Sequence, residues 1–249
     1  MKIAHISDLH MRYHLYGSAA VPDRLSRLMP DRFAKAIGQI VADAPDLLVL
    51  SGDLLDYPIE DMESANPMTP ALGLGDLRLI AQILEDLNCP LALVHGNHDN
   101  RELVRQVFAH VPDEQVVAGH RVLSFWDEED EDNVPRRIGE ERVRFEQALQ
   151  DPSLPQIHIQ HYVVWPERNE GYPHTYGDGA QLRQQIVQSG AVKLVLSGHY
   201  HIGVPLFEEE SVYFCTVRGF TEAPHYYNIY TINGDCITCD YRQLETSSY

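Results

Sequence analysis

Five short groups of potential metal ligands follow one another along this chain: Asp8-Leu9-His10, Gly52-Asp53, Gly96-Asn97-His98-Asp99, His161 and Gly198-His199-Tyr200-His201. They offer two carboxylates (Asp8, Asp53), one amide oxygen (Asn97) and four imidazoles (His10, His161, His199, His201), with His98 to spare. Mixed oxygen and nitrogen donors suit first-row divalent ions, and a carboxylate can bridge two of them and offset their charge. Such a pair of ions can activate water for in-line attack on phosphorus. The side chains are therefore those of a two-metal hydrolase of phosphate esters, with His98 free to handle a proton.

Each group comes directly after an apolar run. The runs are Lys2–Ile6, 46–50, Leu91–Val94, 157–160 and 193–196. Their Val, Ile and Leu content without clean alternation predicts strands covered on both faces. Helical spacing lies between them: Phe33, Ile37, Ile40 and Val41, then Ile80, Ile83, Leu84 and Leu87, then Leu182, Ile186 and Val187 with Gly190 as a stop. Strand and helix in alternation mean an α/β fold with a largely parallel core sheet. In such sheets ligands bind beyond the carboxyl ends of the strands, so the five groups should converge on one edge. Later segments alternate more: 212–218 and 226–232, with Asn233-Gly234 as a type I′ hairpin turn, and 116–118 with 121–125 around Gly119-His120. An antiparallel set of strands is thus expected after the parallel core. No linker or repeat divides residues 1–249, which reads as a single domain.

In order and type, the D-x-H, G-D, G-N-H-D, H and G-H-x-H groups resemble the calcineurin-like metallophosphoesterases over about residues 3–203. The resemblance implies a two-sheet mixed β-sandwich flanked by helices, in four layers (α/β/β/α). It puts Asp8, His10 and His201 on one ion, Asn97, His161 and His199 on the other, and Asp53 across both. It further implies a metal-bridging hydroxide as nucleophile, one displacement with inversion at phosphorus, His98 facing the substrate, and Asp99 orienting His98. The ions would be two divalent transition metals, Mn, Fe, Zn, Co or Ni, because this donor set does not choose among them. His158 stands three residues before His161 as a rival ligand; His161, at the end of its run, is preferred.

Charge narrows the substrate. The formal net charge of −18 repels phosphodiester polymers, so a small phosphate ester is expected rather than long nucleic acid. A phosphodiesterase acting on a cyclic nucleotide or a nucleotide- or lipid-linked diester is preferred, since His98 suits an alkoxide leaving group. A phosphomonoesterase or protein phosphatase is an alternative, though no basic phosphate clamp stands out between the motifs. A non-catalytic metal-binding scaffold is another, disfavoured because His98 and Asp53 are both present. The iron–tyrosinate site of purple acid phosphatases is not expected, because Asp56 holds the place of their tyrosine.

Other features carry weaker expectations. There is no signal-peptide pattern and no apolar segment long enough to span a bilayer, which suggests a soluble, cytoplasmic protein with no membrane partner. Cys236 and Cys239 form a C-x-x-C without the second pair of a zinc ribbon; with Cys89 and Cys215 they read as reduced thiols. The acidic run 127–132 reads as a solvated loop. Segments 11–30 and 56–75 leave motif-bearing strands and should roof the site. Tyr162, Trp165, Tyr172, His174, Tyr176 and Tyr200 either pack the core or frame an aromatic leaving group. Arg218 is a candidate for phosphate, His174 and His225 for the rim, and His95 for a place behind the ligands. Nothing in the sequence fixes the oligomeric state.

Overall fold

Val-, Ile- and Leu-rich runs form the central strands because both of their faces are covered. In the computed structural model, which describes residues 1–19, 21–58, 61 and 67–244, these strands are split between two main sheets. In the first sheet, β1 (Lys2–Ile6), β2 (Leu47–Ser51) and β3 (Leu91–Val94) run parallel. A C-terminal hairpin, β12 (Tyr226–Asn233) and β13 (Cys236–Gln243), adds antiparallel to the free side of β1. The second sheet joins β4 (Glu114–Val117), β5 (His120–Ser124), β8 (Gln156–Ile159), β9 (Val192–Ser197), β10 (Val204–Glu209) and β11 (Val212–Thr216) in the order β10-β11-β9-β8-β5-β4.

Three helices cover the first sheet: α1 (Met29–Asp43), α2 (Met68–Ile83) and α3 (Arg101–Val107). Phe33, Ala36, Ile37 and Ile40 recur at helical spacing and form the buried face of α1. Two more, α4 (Gly139–Leu149) and α5 (Gly179–Ser189), cover the second sheet through Phe145, Leu182 and Ile186. Strand β9 shows the layering directly. Leu194 and Leu196 join the core between the sheets, whereas Val195 joins the core under α4 and α5. A side chain such as Leu194, wholly removed from water, stabilises the fold by about 1.5–3 kcal/mol.

Several expectations change. Strand β11 pairs antiparallel with β10 on one side, as expected of segment 212–218, but parallel with β9 on the other, so it joins the parallel core directly. The antiparallel pairs flank both sheets instead of following the parallel core. The last hairpin pairs Asn233 with Cys236, so Gly234-Asp235 forms the loop. Only Gly234 there takes a positive φ, at 60°, as the first position of a type II′ turn requires. Ala118 (φ 45°) and Gly119 (φ 79°) turn the chain into β5, one residue earlier than expected. All four cysteines are free thiols, with Cys236 and Cys239 in β13. Residues 20, 59–60 and 62–66 of the expected roof lie outside the described residues.

Candidate metal centre

The five motifs meet where β1, β2 and β3 of one sheet and β8 and β9 of the other end, so the rim is shared by two sheets. Several ligand candidates end their strands in the left-handed region: Asp8 (φ 57°), His10 (φ 44°), Asp53 (φ 49°) and His199 (φ 67°). Such backbone is costly for residues with a Cβ and tends to be held at working sites. The glycines act through closeness. A Cβ on Gly52 (φ 99°) would lie 2.5 Å from His161 Nδ1, and one on Gly96 would overlap Asp53 Oδ1.

Asp53 sits at the centre. Its Oδ2 lies 3.3 Å from His10 Nε2 and 3.5 Å from His161 Nε2, while Oδ1 accepts a hydrogen bond from the His98 backbone at 2.8 Å. Two groups of ligand atoms, each within 4.8 Å, share it: Asp8, His10, Asp53 and His201 on one side, Asp53, His161 and His199 on the other. In the first group His10 Nε2 and His201 Nε2 face each other at 3.1 Å, and Asp8 Oδ1 is 3.4 Å from His201 Nε2. In the second, His161 Nε2 and His199 Nε2 are buried without a hydrogen-bond partner, and so is Oδ1 of Asn97, which lines the same cavity as His199. Inward-facing lone pairs left unpaired are expensive unless something electrophilic takes them. Two imidazoles have their tautomer fixed from behind. His161 Nδ1 donates to the Ser51 carbonyl at 2.7 Å, and His201 Nδ1 donates to Glu222 Oε1 at 2.7 Å, which leaves each Nε2 free to coordinate. The donor set and its unpaired atoms fit divalent transition ions.

The fields agree. Burial pushes His161 and His201 down, but Asp53 beside the one and Asp8 with Glu222 beside the other outweigh it and raise them to about 9 and about 10. Burial wins at His10 and His199, which are lowered. For Asp53, burial raises the pKa, but the surrounding imidazoles, His161 first, hold it well below the carboxylate range.

His98 opens onto a cavity of about 490 Å³ that also reaches Asp53, His199 and His201, with Arg24, Tyr172 and Tyr200 in its walls. Burial, and Arg24 nearby, lower the pKa of His98 despite Asp53. Its expected partner is corrected. Asp99 accepts backbone N–H groups from Leu54 (3.1 Å), Leu55 (2.7 Å) and Gly96 (2.9 Å) and so ties two loops together. The carboxylate within ion-pair reach of His98 is Asp56, with Oδ1 3.6 Å from His98 Nδ1. Burial, aided by Asp53, raises Asp99 to about 7.

His158 and His161 part company. His158 is buried against Phe125 and Phe145, with Nε2 2.9 Å from Gln156 Oε1, on the side away from the cluster. The acidic run divides: Glu131 and Asp132 form an exposed turn, as expected of a solvated loop, but the residues before them do not. Asp127 is buried against Arg137 at 2.7 Å, Glu128 and Glu129 form strand β6 (Glu128–Glu129) paired with β7 (Pro135–Arg136), and Glu129 reaches within 3.9 Å of His199 Nε2. Burial raises the Glu129 carboxyl to about 7. His95 lies behind the site, stacked on Trp126 and 3.5 Å from Glu128. Tyr162 and Tyr176 belong to the core under α4 and α5, with Trp165 packed against it, whereas Tyr172, His174 and Tyr200 line the cavity. Arg218 points elsewhere, donating to the Ile202 carbonyl and lying over Tyr226, and His225 is buried with Nδ1 donating to the Phe220 carbonyl. A larger cleft of about 920 Å³, lined by Arg78, Gln82, Cys89 and Phe108, holds none of the motif residues. Asp56, Glu129, Glu222 and Arg24 carried no signal in the sequence beyond being charged.

A family model described as calcineurin-like phosphoesterase matches residues 1–203. A protein of Synechococcus named as a probable cyclic nucleotide phosphodiesterase is 26% identical over 217 residues, covering 81% of this chain and 73% of its own. A DNA double-strand break repair protein of Methanococcus maripaludis is 30% identical over 99 residues, 40% of this chain and only 23% of that protein. Among solved structures, a dimetal phosphatase from Danio rerio superposes with a TM-score of 0.68 at 13% identity, covering 98% of this chain and 96% of its own. A purple acid phosphatase from yellow lupin (Lupinus luteus) seeds gives 0.59 at 12% identity, over 98% and 51%. These likenesses show the shared fold, mixed α/β with two main sheets flanked by helices. No helix among the described residues is long and apolar enough to cross a membrane.

Proposed function

The chain belongs to the calcineurin-like phosphoesterase family, and from that premise we propose that it is a two-metal phosphodiesterase for a small substrate, a cyclic nucleotide or a nucleotide- or lipid-linked diester. The observation that carries this reading is Asp53 Oδ2, set between His10 Nε2 and His161 Nε2 at 3.3 and 3.5 Å, one imidazole from each ligand group. Asp8, His10 and His201 would hold one divalent ion (Mn, Fe, Zn, Co or Ni), Asn97, His161 and His199 the other, and Asp53 both. When bound, such a pair supplies Lewis acidity toward the phosphoryl oxygens and an activated water.

The chain's own residues do the rest. With its pKa lowered, His98 presents a neutral N–H at the cavity and donates it toward the departing oxygen, where charge develops. The Asp56 carboxylate stands 3.6 Å from Nδ1 of that ring, within ion-pair reach but beyond a hydrogen bond, and Asp99 accepts backbone N–H groups instead. Hydrolysis of a diester suits the walls, where Glu170 and Glu222 would oppose a second phosphate charge. The probable cyclic nucleotide phosphodiesterase named above supports the same preference. The reading extends to one domain over residues 1–249, a cytoplasmic location, and no membrane or long nucleic acid as partner.

Manganese-loaded protein should hydrolyse bis-p-nitrophenyl phosphate faster than p-nitrophenyl phosphate, and His98→Ala should lower kcat by about 10²–10⁴-fold. Absence of turnover with Mn, Fe, Co, Ni and Zn alike would overturn the enzyme reading.

A further inference from the structure

Among the described residues lining the cavity, Arg24 is the one lysine or arginine. It lies in the segment before α1, far in sequence from every later motif. Its Nη1 donates to Asp56 Oδ1 at 3.2 Å, the oxygen that also faces His98 Nδ1 at 3.6 Å. Asp56 does not need Arg24 for its charge. Its other oxygen already accepts from Arg12 Nε at 2.9 Å, and Arg12 is tied down further through Nη1 to the Tyr16 carbonyl. Two guanidinium groups thus share one buried carboxylate beside His98, so Asp56 does not take up the whole hydrogen-bonding capacity of Arg24. Arg24 Nε is buried and has no hydrogen-bond partner. A guanidinium carries five donors in a planar fork shaped for paired oxygens, and a buried donor left unpaired is costly.

We propose that Arg24 is the phosphate-binding side chain of this cavity, its guanidinium taking a non-bridging oxygen of the substrate's phosphoryl group while Asp56 holds it at a fixed place beside His98. The proposal rests on the phosphoester reading for the identity of the anion. It also supplies the basic clamp that the sequence did not disclose: the cation comes from the segment after the first motif, and its aim is set by a carboxylate three residues after Asp53. One such arm suits the single charge of a diester.

Calorimetric titration of the manganese-loaded protein with inorganic phosphate tests it without turnover. Arg24→Met should weaken phosphate affinity by about tenfold or more, the scale of one charge-assisted hydrogen bond, with metal content unchanged. Equal affinity in variant and wild type, or no phosphate binding by the wild type, overturns the proposal. Should Arg24→Met fail to fold, the wild type decides alone. In the zinc-loaded protein the Arg24 Nε–H resonance should move on adding phosphate, and a fixed resonance overturns the proposal. The two readings separate cleanly. Arg24-dependent phosphate binding without diester turnover would sink the hydrolase and keep the clamp; turnover with unchanged phosphate affinity and KM in Arg24→Met would do the reverse.

Discussion

Asp99 accepts three backbone N–H groups, so its carboxylate belongs to the frame between the loops that leave β2 and β3. Asp56 turns one oxygen to His98 and the other to Arg12. The two aspartates should therefore fail differently when changed. Asp56→Asn is expected to lower kcat by about 10–100-fold at full metal occupancy, the usual loss when a supporting partner is removed. Asp99→Asn should leave kcat within a few-fold but lower the melting temperature, since each buried donor that loses its acceptor costs about 1–3 kcal/mol. Steady-state kinetics beside thermal melts would decide, and a larger kcat loss in Asp99→Asn would reverse the assignment. The ligand candidates were legible because each sits in its own short motif at a strand end. Their supports were not, because Asp56, Glu222 and Glu129 reach the site through space. Adjacency misled in the case of Asp99: neighbours in a tight turn point apart. The same strand geometry separates His158, which faces Phe145 of α4, from His161, which has passed the strand end.

The elements behind the site include one that charge alone disguised. In segment 127–132 the turn at Glu131 and Asp132 is exposed, as a count of acids suggests, yet β6 and β7 pair on either side of it, and Arg137, ten residues after Asp127, returns to that aspartate. Both side chains of that pair are fully buried, and the Tyr176 hydroxyl donates to Asp127 at 2.5 Å. Arg137→Met would leave Asp127 as an uncompensated buried charge and should cost about 3–5 kcal/mol, whereas Arg137→Met with Asp127→Leu should recover most of that loss. Urea denaturation of the two proteins checks it; a double variant as unstable as the single one would mean the pair is not the cause. Strand and helix order was readable from apolar periodicity. The division into two sheets was implied by the family resemblance and not by the runs themselves, because a run buried on both faces does not say which sheet buries it. The parallel pairing of β11 with β9 depends on a long-range neighbour in the same way.

For the molecule as a whole, burial of neutral histidines ties stability to pH. Burial lowers His5 to about 3 and His158 well below its ordinary value of 6.5. The unfolded chain takes up these protons near pH 6.5, while the folded one refuses them until much lower pH. Their contribution is thus whole above about pH 6.5 and is lost as pH falls toward 3, by about 1.4 kcal/mol per pH unit for each histidine. Denaturation of the metal-free protein between pH 6.5 and 4.5 should show a slope that is shallower by that amount in His158→Leu; an unchanged slope would mean His158 is protonated in the fold. The topology bears on how the protein is made. All five ligand groups have left the ribosome once residue 201 is out, yet β1, which delivers Asp8 and His10, lies between β2 and β12, and β12 spans Tyr226–Asn233. Pairing partners this distant in sequence form late. The segment matched by the family model, residues 1–203, therefore lacks the strand that closes its first sheet, and a nascent chain halted there would carry every ligand while one side of β1 stayed unpaired.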